Sequence, residues 1–352
     1  MLLEGIFSAI TTPFYADGEV YLRKLEHNVE RYSRSPVAGM VVLGSTGETV
    51  LLSREEQHEV LATAIAVAAA EKVMIAGVGQ ESVRNTLVLA EDAARLQYDA
   101  VLVRTPHFYR PQMSPPAMLA YYRAVADSSP LPVVLYSVPA FTSYDLPADV
   151  VRELAMHSNI IGLKDSSGRP ERIAEVVAAT RGNKATVAVT NVFAAVTGRM
   201  RAPAVAVGAR TFVAIDSLTS GAIATAGLPP APALKMRSRE VDFQVLAGGA
   251  QTLHASLEAG AVGGVLGLAS PAPQCCYEVY TAWKEGDAGL AAEKQQRIAP
   301  AGTRVVSQLG IAAVKYACDL NGYYGGRPRL PLLSLTAEQR SEVEVLMSDV
   351  RY

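Results

Sequence analysis

The sequence is poor in cysteine, tryptophan and histidine, and it carries almost no net charge. Only three cysteines occur in 352 residues, with Cys275 beside Cys276 and Cys318 far away. That spacing frames neither a disulfide scaffold nor a zinc site, so the chain reads as a protein of a reducing, cytoplasmic compartment with no metal. The 32 basic and 34 acidic residues leave a formal charge of −2, and no basic stripe is interleaved with aromatics, which disfavours nucleic acid as a partner. The longest apolar stretch, Leu61 to Ala70, is alanine-rich and too short to cross a bilayer. Met1 to Gly5 leads straight into an apparent strand, so no targeting segment and no membrane partner are expected.

What is present is an alternation. Short β-branched runs begin at Ile6, Gly39, Val73, Ala100, Val133, Ile160, Phe243 and Val262, and each is followed by a segment with helical spacing of apolar residues. Runs of this kind, apolar throughout and too short for helices, read as parallel strands buried on both faces. Eight strand–helix alternations predict a (β/α)₈ TIM barrel over residues 1–285. The segments Ala291 to Ile298, Thr303 to Leu320 and Thr336 to Met347 predict a helical C-terminal extension over 286–352. In such a barrel the loops after the strands carry the chemistry.

Three of those strand ends hold reactive groups. The run Val133 to Tyr136, bounded by Pro132 and Pro139, ends at a tyrosine, and the next run, Ile160 to Leu163, ends at Lys164. One short helix separates them, so Tyr136 and Lys164 fall at the ends of neighbouring strands. Desolvation at a barrel mouth disfavours an ammonium, and a neutral amine can attack a ketone. The imine that forms, once protonated, accepts electrons from the adjacent carbon, so bonds next to a 2-oxo acid can be made or broken. Tyr136 has a hydroxyl able to give or take a proton. A surface lysine beside a core tyrosine would leave the same trace.

The second run opens into Gly44-Ser45-Thr46-Gly47-Glu48, and the capping-box sequence Ser53-Arg54-Glu55-Glu56 starts the following helix. Two glycines around two hydroxyl residues let backbone N–H groups converge on an anion such as a carboxylate, although a plain turn has the same composition. The loop Thr105 to Pro111 is rich in aromatics and proline and fits a pocket lining, a subunit contact or simple packing; His107 within it has no partner in view.

With these elements in place, the chain resembles the dihydrodipicolinate synthase/N-acetylneuraminate lyase family of class I aldolases. The Gly-Ser-Thr-Gly-Glu loop, Tyr136 with Val138-Pro139, and Gly-Leu-Lys-Asp at 162–165 recur in the family's order. The phrases at 132–140, 145–147, 243–248 and 321–326 look most like the branch that cleaves 4-hydroxy-2-oxoglutarate to pyruvate and glyoxylate. The resemblance implies a cofactor-independent lyase with Lys164 as the Schiff-base lysine and Tyr136, with Ser45 or Thr46, moving protons. It also implies that Ser45 and Thr46 bind the keto-acid carboxylate, that Ser166, Gly248 and Leu266 line the substrate site, and that the protein is a homo-oligomer, a dimer or tetramer, with a contact at the Phe108 loop.

Three positions depart from the family pattern. Phe141 stands where the lysine-biosynthetic members carry an arginine for a substrate carboxylate. Phe108 stands where a relay tyrosine is expected, and Thr46 stands where the glyoxylate-forming branch has asparagine. The block at about 183–240, between the sixth crossover helix and the seventh barrel strand, is expected to be an atypical insertion without catalytic role, on the face opposite the chemistry, with disorder slightly favoured over an oligomer contact or a gene-model error such as unspliced sequence. Alternative functions are a dihydrodipicolinate synthase-like or sugar-acid aldolase or dehydratase reaction, or binding of a 2-oxo acid with turnover lost.

Overall fold

The computed structural model describes residues 1–201 and 234–350. Ten strands are present among them: β1 (Gly5–Ala9), β2 (Gly39–Val42), β3 (Val73–Gly77), β4 (Ala100–Arg104), β5 (Val133–Ser137), β6 (Ile160–Asp165), β7 (Ala185–Thr190), β8 (Met236–Val241), β9 (Gln244–Ala247) and β10 (Gly263–Leu266). Eight of them close into a parallel barrel in the order β1-β10-β9-β6-β5-β4-β3-β2, while β7 and β8 pair antiparallel outside it. The fold is therefore the TIM barrel that the alternation predicts.

Strand alternation separates two apolar layers. Phe7, Val41, Ile75, Leu102, Val134, Leu246 and Val265 point inward and fill the barrel. Their sequence neighbours, among them Ile6, Met40, Met74, Val103, Leu135, Leu163 and Leu266, point outward under the helices. Gly162 is required where neighbouring strands approach closely, since a Cβ there would meet the Gln244 carbonyl oxygen at 2.4 Å.

The helices that cover this outer layer are α1 (Leu22–Arg34), α2 (Arg54–Val67), α3 (Val83–Arg95), α4 (Pro115–Ser128), α6 (Ala148–Leu154), α7 (Pro170–Ala179), α9 (Leu253–Glu258) and α10 (Pro273–Lys284), while the one-turn α5 (Pro139–Thr142) lies in the loop after β5 and the one-turn α8 (Gly198–Arg201) in the segment after β7. The capping box at Ser53 forms both of its bonds, which fixes where the loop after β2 ends and α2 begins. The C-terminal extension is α11 (Ala288–Ala301), a π-helical segment Gly302–Gln308, α12 (Ile311–Leu320) and α13 (Ala337–Ser348). The single helix expected from Thr303 to Leu320 is thus broken. Gly310 adopts φ +74°, a left-handed conformation that ends the π segment and lets α12 start in a new direction. Among the described residues no helix is long and apolar enough to cross a membrane.

The β7–β8 hairpin packs over the end of the barrel where the strands begin. Val187 and Val189 bury against Leu2, and Arg239 pairs with Glu4 at 2.6 Å, just ahead of β1. In the segment after β7, Thr197 donates to the Ala70 carbonyl, and the backbone N–H of Gly198 donates to Asp99, which stands just before β4. The Arg199 guanidinium donates to the carbonyls of Ala68 and Lys72, ahead of β3. The outer parts of the 183–240 block therefore form ordered structure, against the expectation of disorder. Its central residues, 202–233, lie outside the described residues.

Candidate active site

Ladder register brings the candidate residues together. Arg104 of β4 is opposite Tyr136 of β5, which is opposite Lys164 of β6. All three continue the inward parity of their strands, so their side chains converge at the end of the barrel where the strands terminate. Lys164 is 3% exposed and places Nζ 4.1 Å from the centroid of the Tyr136 ring. Such a desolvated cation–π contact contributes about 2 kcal/mol and aligns the amine with the phenol.

The Tyr136 hydroxyl lies 3.0 Å from the Ser45 hydroxyl. Burial alone would raise the phenol, but the Lys164 charge and hydrogen bonds with Ser45, Ser166 and Lys164 outweigh it and hold Tyr136 below the ordinary tyrosine value. A phenol that ionises more readily, within reach of both an amine and a hydroxyl, is suited to passing protons between them.

Ser45 is fixed by its loop. Residues Ser45–Gly47 form one 3₁₀ turn, and Glu48 follows in the left-handed region at φ +56°. Thr12 donates to the Gly47 carbonyl at 2.7 Å. Glu48 holds the other side: its carboxylate meets the Lys315 Nζ of α12 at 2.5 Å and accepts from the Arg329 backbone N–H at 2.8 Å, entirely out of solvent. The C-terminal extension therefore clamps the hydroxyl loop. Lys315 and Glu48 were not singled out from the sequence, although a lone lysine inside the apolar run Ile311 to Leu320 was the available signal.

On the β6 side, the Asp165 carboxylate accepts from the Ser167 N–H at 2.9 Å and its carbonyl accepts from the Gly248 N–H at 2.7 Å. Gly248 sits directly against Ser166, because a Cβ on it would stand 2.0 Å from the Ser166 Oγ. Ser166 and Gly248 thus lie beside the Tyr136–Lys164 pair. Thr46 follows Ser45 on the same turn, with its Oγ1 3.7 Å from where a Gly267 Cβ would be, just past the end of β10. Leu266 does not belong with the group: its side chain points outward under the helices, one residue out of phase with inward-facing Val265. Counting alternation from Val265 would have excluded it.

A cavity of about 280 Å³ opens above the pair, lined by Ser45, Arg104, His107, Tyr136, Phe141 and, from the C-terminal extension, Leu332, among others. Tyr136 belongs to both places, since it lines the cavity and its ring carries the Lys164 amine. His107 is not isolated: it lies 2.8 Å from the Glu81 carboxylate, which also accepts from the backbone N–H groups of His107 and Phe108. Phe108, in the loop after β4, is 74% exposed and Phe141, in the one-turn α5, 63%, both at this same end.

The chain matches the dihydrodipicolinate synthetase family over residues 2–217 and 232–350. It belongs to that family. The family match lapses only between 217 and 232, a narrower gap than the 183–240 block. The 4-hydroxy-tetrahydrodipicolinate synthase of Acidiphilium cryptum is 26% identical over 99% of this chain and 98% of its own. The L-threo-3-deoxy-hexylosonate aldolase of Hypocrea jecorina is 30% identical over 97% of this chain and 93% of its own. Among solved structures, dihydrodipicolinate synthase from Acinetobacter baumannii in complex with pyruvate superposes with a TM-score of 0.78 at 26% identity, covering 99% of each chain. As a member of this family the protein is an enzyme, a lyase of the pyruvate-type aldolase class.

Proposed function

We propose that the protein is a cofactor-independent class I aldolase that cleaves 4-hydroxy-2-oxoglutarate to pyruvate and glyoxylate, with Lys164 as the imine-forming lysine. The observation that carries this reading is the buried Lys164 amine 4.1 Å from the Tyr136 ring, with the phenol in turn 3.0 Å from Ser45. Lys164 attacks the C2 carbonyl, and the carbinolamine loses water as Tyr136 and Ser45 deliver the proton. The C3–C4 bond then breaks, its electrons pass to the iminium nitrogen, and Tyr136 takes the C4 hydroxyl proton as the aldehyde departs. Protonation of the enamine at C3 and hydrolysis release pyruvate and restore the amine. Ser45 and Thr46 hold the C1 carboxylate on their loop, and Ser166 and Gly248 border the reacting carbons.

A second reading, cleavage of a 3-deoxy sugar acid, is favoured by the end-to-end likeness to the Hypocrea jecorina aldolase. Either enzyme works as a homo-oligomer in the cytoplasm. The exposed Phe108, Tyr109 and Phe141 supply an apolar rim for subunit contact, and three buried cysteines outside any disulfide suit a reducing compartment.

The test is intact mass after incubation with pyruvate and sodium borohydride, with Lys164→Ala in parallel. A reduced pyruvate adduct on the wild type alone is expected, followed by turnover of 4-hydroxy-2-oxoglutarate in preference to 3-deoxy sugar acids. A folded wild-type protein that gains no mass would sink the aldolase mechanism.

A further inference from the structure

Phe141 offers an anion in this cavity no charge, yet a cation enters the same space. Arg104, the last residue of β4, continues the inward parity of Ala100 and Leu102 and lines the cavity beside Tyr136. Adjacent strands are about 4.8 Å apart, so its backbone stands roughly two spacings, or about 10 Å, from that of Lys164. Arg104 and Tyr136, whose ring carries the Lys164 amine, both line the cavity, a span that can bracket a five-carbon substrate.

The Arg104 stem is confined. A Cβ on Gly79 would stand 2.4 Å from the Arg104 backbone nitrogen and 2.8 Å from its Cγ, so only glycine at 79 lets the strands' ends and this side chain pack as they do. Its guanidinium is only half used. Nη1 is engaged by the Glu81 carboxylate at 2.8 Å, the Thr105 carbonyl at 3.4 Å and His107 Nδ1 at 2.9 Å. Nε is buried with no hydrogen-bond partner, and among the described residues the guanidinium's hydrogen bonds all run through Nη1, none through Nη2. Nε–H and Nη2–H form one edge of the planar fork, the edge that matches two carboxylate oxygens. A buried donor left unmatched is costly, and here the missing partner is an acceptor.

The other charged group in the cavity wall, Glu48, is spent on Lys315. Much of the remaining wall is apolar, with Leu102, Val138, Phe141, Ile311 and Leu332, so an ionic contact made inside it is only weakly screened.

We propose that Arg104 is the specificity-determining residue of this site and selects 2-oxo acids whose far end carries a second carboxylate. This deepens the reading of Lys164 as an imine lysine and rests on it for the orientation of the substrate. C1 and C2 lie toward Ser45 and Lys164, and the terminal carboxylate takes the open edge of Arg104. Sugar-acid substrates, whose far end is a neutral polyol, gain nothing from that edge and leave it unpaired.

The deciding experiment compares the binding of 2-oxoglutarate and 2-oxopentanoate by calorimetry on the full-length wild type, Arg104→Gln and Arg104→Lys. The two ligands share a five-carbon 2-oxo chain and differ in the distal carboxylate. The wild type is expected to prefer 2-oxoglutarate by about 30-fold, as a bidentate charge-assisted pair confers. The ratio collapses toward one in Arg104→Gln and stays intermediate in Arg104→Lys, which keeps the charge and loses the fork. A wild-type ratio near one overturns the proposal even if Arg104→Gln fails to fold, and so does a ratio that survives in a folded Arg104→Gln. Borohydride trapping of wild type with pyruvate separates the two readings. An adduct without carboxylate preference removes the role of Arg104 alone, whereas a preference without an adduct removes the imine and leaves the anion subsite.

Discussion

Replacing Lys315 with methionine would expose how far the hydroxyl loop depends on a buried charge. Lys315 Nζ contacts the Glu48 carboxylate at 2.5 Å, donates to the Arg327 carbonyl at 2.9 Å and lies 4.2 Å from the Phe14 ring centroid, with both charged side chains wholly buried. At an effective dielectric of about 20, two unit charges at this separation attract by roughly 7 kcal/mol. Desolvation of the two ions, several kcal/mol each, offsets most of that, and burial indeed lowers the Lys315 ammonium against the opposing pull of Glu48. The intact pair is therefore close to neutral for stability, but removing one partner strands the other. Lys315→Met should cost about 3–5 kcal/mol, and Glu48→Gln a similar amount. The double variant should cost well under their sum, because neither charge is left behind. Urea melts followed by circular dichroism give all four corners of the cycle. Additive losses, or a Lys315→Met cost below about 1 kcal/mol, would show that the pair is not acting as a coupled buried ion pair. Because Glu48 also anchors the loop that carries Ser45, the folded fraction of the single variants should turn over more slowly than wild type.

Two further perturbations address the site itself. Tyr136→Phe should lower kcat by about 10²–10⁴-fold, the usual worth of positioned proton transfer. It should also erase the alkaline limb of the kcat profile, because in the wild type Lys164 and Ser45 overcome burial and hold the phenol below its ordinary value. An unchanged profile in the variant would assign that limb to another group. Gly248→Ala places a methyl 2.0 Å from the Ser166 Oγ and 2.7 Å from the Asp165 carbonyl oxygen. The backbone has to move, at a cost of about 1–3 kcal/mol read as a lowered urea midpoint, and a midpoint equal to wild type would mean the contact relaxes freely.

The barrel was legible because its signals are local. Short apolar runs bounded by glycine and proline mark each strand, and the reactive residues stand where those runs stop, so Tyr136, Lys164 and Ser45 could be placed from order alone. What was missed depends on parity or on distant partners. Leu266 was assigned to the site by resemblance, while its phase relative to Val265 turns it under the helices. Val187 and Val189 alternate over too few residues to announce a strand, and their partner β8 lies across a long connection. Arg104 reads as the polar end of a strand until Ala100 and Leu102 are counted with it. Glu48 and Lys315 meet from opposite ends of the chain, and neither carries a local sign of the other.

Three cations enter apolar surroundings at one end of this barrel, and the company each keeps separates their roles. Lys315 is matched by a carboxylate and a carbonyl, so its charge is fully compensated and its amine is held against reaction. Arg104 is matched on one edge by Glu81 and open on the other, which suits reversible binding of an anion. Lys164 forms no ion pair among the described residues and rests on the face of Tyr136. A carboxylate in contact with it would stabilise the ammonium and oppose nucleophilic attack, whereas an aromatic face with a polar hydroxyl at its rim holds the amine without tying up its lone pair once the proton leaves. Of these two lysines, Lys315 has the stronger partner and a structural place, and the weaker contacts of Lys164 fit the imine-forming role proposed for it.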